Sequence, residues 1–117
     1  MFERRSVYHM NTLYLFDSEL FSNFVELEEI NMNYLDMVGN IRESFVKNLK
    51  KLKYLNLSHN KLNGTLPNID EWKDIRNLEI LELNNNSFVG DIPSIWPESF
   101  QHLTFLNLAN NNFGDCY

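Results

Sequence analysis

Apolar residues recur along this chain on a frame of fixed offsets, and that recurrence limits the folds open to it. Starting at Leu49, apolar residues follow at offsets 3, 6, 8 and 13: Leu52, Leu55, Leu57 and Leu62. The frame restarts at Ile75 with Leu78, Leu81, Leu83 and Phe88, and at Phe100 with Leu103, Leu106, Leu108 and Phe113. Upstream, Phe24 leads Leu27, Ile30, Met32 and Met37, and Val7 leads Met10, Leu13, Leu15 and Leu20. The starts lie 17, 25, 26 and 25 residues apart, so the first copy reads as short. A unit of this length cannot bury its apolar side alone, and a core forms only when neighbouring units stack. Offsets 6 and 8 alternate with polar or exposed neighbours, which is the period of a strand. Each copy therefore predicts a strand of about three to five residues, a turn and a return segment, with successive strands parallel and about 4.8 Å apart.

Asparagine is the second unusual feature: 18 of the 117 residues are Asn, against 17 Leu. Asn60, Asn86 and Asn111 share offset 11, where the chain leaves the strand. An Asn amide carries two donors and an acceptor, enough to satisfy backbone groups opened there. Offset 11 holds Ser18 and Leu35 in the first two copies. Further along come Gly64-Thr65-Leu66-Pro67 and Gly90-Asp91-Ile92-Pro93, with a weaker copy at Gly39-Asn40-Ile41-Arg42.

The pattern Leu-x-x-Leu-x-x-Leu-x-Leu-x-x-Asn-x-Leu resembles the leucine-rich-repeat family across residues 7 to 114. Its Gly-x-(Leu/Ile)-Pro element is similar to the plant-type class found in receptor-like proteins, receptor kinases and polygalacturonase-inhibiting proteins. The resemblance implies an α/β fold: a right-handed β/α solenoid of about five repeats in one domain spanning 1–117, with a parallel concave sheet and short helical or 3₁₀ segments on the convex side. Pro97-Glu98-Ser99-Phe100 and Asp70-Glu71-Trp72 are the candidate starts of such segments. Trp72 and Trp96 lie in these segments and are expected to fill the core.

Composition and spacing argue against several functions. Ten basic against 16 acidic residues leave a net charge of -6, the wrong balance for neutralising phosphates or binding an anionic membrane surface. Lys47, Lys50, Lys51 and Lys53 form a basic cluster that reads as a solvated face. No run of 18 apolar residues is present. Cys116 has no second cysteine to pair with and no histidine nearby in sequence, so it suggests neither a disulfide framework nor a nucleophile. His9 and His102 share an offset four repeats apart, about 19 Å at sheet spacing. Metal ligands must lie within about 2.6 Å of one ion, so the histidines do not make a metal site. No catalytic residue, cofactor or metal is expected, and the chain does not read as an enzyme.

A solenoid offers instead an extended concave face. Its outward positions are Thr12, Glu29, Tyr54, Ile80 and Phe105 at offset 5, and Tyr14, Asn31, Asn56, Glu82 and Asn107 at offset 7. Offset 9 adds Phe16, Asn33, Ser58, Asn84 and Ala109. Apolar anchors beside amides suit a protein or peptide partner, and Tyr54, Asn56, Ile80, Glu82, Asn84, Phe105 and Asn107 are the expected contacts. Val7, Met10, Leu13 and Leu15 have nothing expected to cover them, which predicts marginal stability or end-to-end self-association.

Three Asn-x-Ser/Thr sequons, at Asn56, Asn63 and Asn85, are acceptors for glycan if the chain is secreted. The N-terminus shows no apolar leader segment. A complete chain would thus be intracellular, whereas part of a receptor-like protein would be extracellular or at the plasma membrane. Three functional readings follow: a plant receptor-like binding module in signalling or defence, a free-standing intracellular scaffold or enzyme inhibitor, and the recognition segment of a larger kinase or ubiquitin ligase.

Overall fold

The computed structural model describes residues 6–8, 25–41, 43–68, 70–94 and 96–114. Five short strands form one parallel sheet: β1 (Ser6–Tyr8), β2 (Glu29–Asn31), β4 (Tyr54–Asn56), β6 (Ile80–Glu82) and β8 (Phe105–Asn107), in the order β1-β2-β4-β6-β8. A second parallel sheet runs beside it through β3 (Val38–Gly39), β5 (Lys61–Thr65), β7 (Ser87–Gly90) and β9 (Asn112–Phe113). Each turn of the solenoid contributes one strand to the first sheet, and the turns of β2, β4, β6 and β8 also contribute one to the second.

The register follows the leucine frame. Ile30, Leu55, Leu81 and Leu106, all at offset 6, stand side by side across β2, β4, β6 and β8. The ladder continues past the strands: the N–H groups of Met32, Leu57 and Leu83 donate to the carbonyls of Asn56, Glu82 and Asn107. The first copy departs from its expected frame. Val7 pairs with Ile30, so it stands at the offset-6 position rather than at the start of a repeat. The step from Val7 to Ile30 is 23 residues, close to the 25 from Ile30 to Leu55, and the first turn is not short. Met10, Leu13, Leu15 and Leu20, with Thr12, Tyr14 and Phe16, lie outside the described residues.

Inward side chains build one core. Leu52, Leu55, Leu57 and Leu62 are fully buried, as are Leu78, Leu81, Leu83 and Phe88. The return segments close over them through a 3₁₀ turn at Glu43–Val46, another at Lys73–Ile75 and the single-turn helix α1 (Trp96–Ser99). Trp72 and Trp96 are both fully buried and stack with ring centroids 5.9 Å apart, while Phe100 meets Trp96 edge-on at 5.5 Å. They fill the width of the wider repeats, the role expected of them.

The last turn is open on its outer side. Leu106 is 38% exposed, whereas Leu55 and Leu81 at the same offset are buried. Leu103, Leu108 and Phe113 are only partly buried.

Candidate binding surface

The asparagine ladder ties successive turns together where the chain leaves the first sheet. Asn60 Nδ2 lies 3.0 Å from Met32 O, 2.9 Å from Leu57 O and 3.1 Å from Ser58 O, and its Oδ1 accepts from the N–H groups of Leu35 and Met37. Asn86 Nδ2 donates to Leu57 O, Leu83 O and Asn84 O, and Asn111 Nδ2 to Leu83 O, Leu108 O and Ala109 O. Their Oδ1 atoms accept from Leu62 N–H and Phe88 N–H. Each amide therefore ties its own turn to the preceding one. The second described turn has Leu35 where the three turns after it have Asn, and its backbone is served by Asn60 of the following turn.

At offset 10 the backbone is left-handed in the turns of β2, β4, β6 and β8: Tyr34, His59, Asn85 and Asn110 have φ between 55° and 60° (56°, 56°, 59° and 58°). The shared conformation lines up their side chains. The Tyr34 and His59 rings stack at 4.2 Å and 7°, and Asn85 Nδ2 lies 3.2 Å from His59 Nε2. Sequence reasoning did not select this column. Its signal was present as a common offset, with Asn, which tolerates left-handed backbone, at two of the four positions.

On the concave face the structure brings Tyr54, Ile80 and Phe105 side by side in register, and likewise Asn56, Glu82 and Asn107. Phe105 is 48% exposed; Tyr54 and Ile80 are half-buried. Three residues expected to face solvent do not: Asn56 is only 5% exposed, Ser58 3% and Asn84 8%. For Asn56 the reason is local hydrogen bonding. Its Oδ1 accepts from Ser58 N–H at 2.9 Å and from Ser58 Oγ at 2.6 Å, which folds the short side chain onto the sheet. Asn31 and Asn107 make the same bond to the N–H two residues on. Asn56 Nδ2 then donates to Tyr54 Oη at 3.0 Å, and Tyr54 Oη donates to Glu82 Oε2 at 3.0 Å. Ser58, Asn56, Tyr54 and Glu82 thus form one chain of hydrogen bonds across two turns. Glu82 replaces the amide of offset 7, so it is free to turn its carboxylate towards the neighbouring turn. Asn84 Oδ1 is buried without a partner among the described residues.

The flank where the strands begin carries the basic cluster. Lys51 Nζ lies 2.7 Å from Glu26 Oε1, and this carboxylate pushes the lysine above its usual pKa. Both side chains are exposed, and such a pair contributes little to stability. A shallow groove lined by Arg76, Asn77, Glu98, Ser99, Gln101 and His102 lies on the same flank, away from the concave row.

Known proteins carry the same grammar. The family description "Leucine Rich Repeat" matches residues 51–70 and 77–99, and a second profile of the same description matches 101–115. This chain belongs to the leucine-rich-repeat family. Within it the chain is of the plant type: it is 31% identical over 93 residues to Receptor-like protein 39 of Arabidopsis thaliana. That match covers 80% of this chain and 10% of the relative, so the chain spans about a tenth of that protein's length. Among solved structures, the Arabidopsis receptor kinase HAESA, in complex with the peptide hormone IDA and the co-receptor SERK1, is 35% identical with a TM-score of 0.71. It is matched over 82% of this chain and 15% of its own. A plant ice-binding protein is 28% identical with a TM-score of 0.70, over 82% of this chain and 30% of its own. The leucine-rich-repeat scaffold thus occurs in neighbours with different tasks, and the task must be read from this chain's own surface.

Proposed function

We propose that the chain is a non-catalytic leucine-rich-repeat module that binds a protein or extended peptide on its concave face, in recognition or signalling. The observation that carries this reading is the row Tyr54, Ile80 and Phe105 beside Glu82 and Asn107. It offers apolar anchors next to polar groups on a rigid sheet. Partner contact falls to Tyr54, Ile80, Glu82, Phe105 and Asn107, while Asn56 holds Tyr54 from beneath and Asn84 lies buried. The hydrogen bonds from Ser58 to Glu82 hold the polar groups before a ligand arrives, which lowers the ordering cost of binding. The likeness to a receptor kinase solved with a peptide hormone favours this reading over ice binding. So does the face itself, which mixes a carboxylate, aromatic rings and amides rather than repeating one side chain.

The test is selection of random twelve-residue peptides on phage against the folded chain, followed by binding to Ile80→Asp/Phe105→Asp and to Lys47→Ala. Peptides that lose at least tenfold in affinity for the first variant and none for the second support the concave face. Peptides that bind both as they bind the parent chain overturn it.

A further inference from the structure

The three sequons have very different surroundings, and the difference selects one of them. Asn63 lies on β5, where Lys61, Asn63 and Thr65 are exposed and Leu62 is buried. Alternation along the strand therefore puts the acceptor amide and the hydroxyl of its sequon on one outward face. The Asn63 amide makes no hydrogen bond among the described residues, and its partner across the sheet is Ser87, small and exposed. At Asn56 both elements are enclosed: its amide is held by Tyr54 and Ser58, and the Ser58 hydroxyl is itself bonded to Asn56 Oδ1. Asn85 is half-buried, has left-handed backbone, and holds its Nδ2 against His59.

We propose that when this chain passes through the secretory pathway it carries an N-linked glycan at Asn63 and at neither Asn56 nor Asn85. The donor is an oligosaccharide on a polyprenyl diphosphate. Asn63 Nδ2 forms a bond to C1 of the reducing sugar, the C1–O bond to the diphosphate breaks, and the lipid diphosphate leaves with the electron pair. The amide gives up one proton. A sugar on Asn56 would stand in the buried layer beneath the concave row, and a chain carrying it could not close its sheet. A sugar on Asn63 projects from the second sheet and leaves that row clear.

The test expresses the full chain behind a cleavable secretory signal in plant cells, with an added Asn-Ser-Thr tail that reports entry into the lumen. Glycans are removed enzymatically in ¹⁸O water, so each occupied Asn becomes a labelled Asp in the peptide mass spectrum. Folded product recovered from lumen and medium is expected to show label at Asn63 and at the tail. Asn63→Gln and Thr65→Ala are each expected to lose the Asn63 glycan and keep the tail glycan. A labelled tail with unlabelled Asn63, or label at Asn56 or Asn85 in folded product, overturns the assignment.

Discussion

Asn60→Ala is expected to cost about three times what Asn86→Ala costs, although both remove the same side chain from the same repeat position. In Asn60→Ala the N–H groups of Leu35 and Met37 lose the oxygen that accepts from both, and Met32 O loses its donor. The other carbonyls keep one, since Leu57 O retains Asn86 Nδ2 and Ser58 O retains Tyr34 N–H. Three orphaned groups at about 1–3 kcal/mol each set a range whose lower half applies to a half-buried site, about 3–5 kcal/mol. Asn86→Ala orphans Leu62 N–H. Its three carbonyls keep Asn60 Nδ2, Asn111 Nδ2 and His59 N–H, so the cost is about 1–2 kcal/mol. A chain of this length has a total stability of about 6–18 kcal/mol, so the first loss is large and the second tolerable. Urea unfolding of the full chain, followed by far-ultraviolet circular dichroism, measures both. Asn60→Asp, which keeps the accepting oxygen, is expected to fall between Asn60→Ala and the parent chain. Equal losses from the two alanine variants, or a larger loss from Asn86→Ala, would refute this accounting of the ladder.

Trp72→Ala should lose about 3–5 kcal/mol through the cavity it leaves beside Trp96, whereas Trp72→Phe should lose less, because the indole N–H has no partner to forfeit. Thermal unfolding of the pair checks the order. Gly64→Ala is expected to cost about 1–2 kcal/mol, read by the same urea titration, because φ is +80° there and an added Cβ would meet the Asn40 side chain at 2.7 Å. The open last turn exposes Phe105 and Leu106 at a sheet edge, so the sedimentation coefficient should rise with protein concentration and Leu106→Lys should abolish the rise.

How much was legible in the sequence differs from one element to the next. Apolar residues at offsets 6 and 8 placed β2, β4, β6 and β8, because a period of two with a long repeat admits few other folds. The same cue failed at the N-terminus. Val7, Met10, Leu13 and Leu15 are all apolar, so periodicity fits more than one frame, and pairing with β2 decides between them. The second sheet was not foreseen. Its strands carry no long apolar run, and they form where glycines with positive φ, such as Gly64 and Gly90, let neighbouring backbones align. For the candidate site, alternation named the right row but not its depth. Pattern shows which side of a strand Asn56 occupies; it does not show that a short amide bonds the N–H two residues on and lies down. Leu35, where the ladder lacks its Asn, is understood only through Asn60 of the next turn.

The concave-face claim is tested most directly by mapping backbone amide chemical shifts of the ¹⁵N-labelled chain during titration with a phage-selected peptide. The account predicts that shifts concentrate at Tyr54–Asn56, Ile80–Glu82 and Phe105–Asn107, with Lys61–Thr65 and Ser87–Gly90 unmoved. Shifts centred on the second sheet, or on the flank around Arg76 and His102, would contradict it.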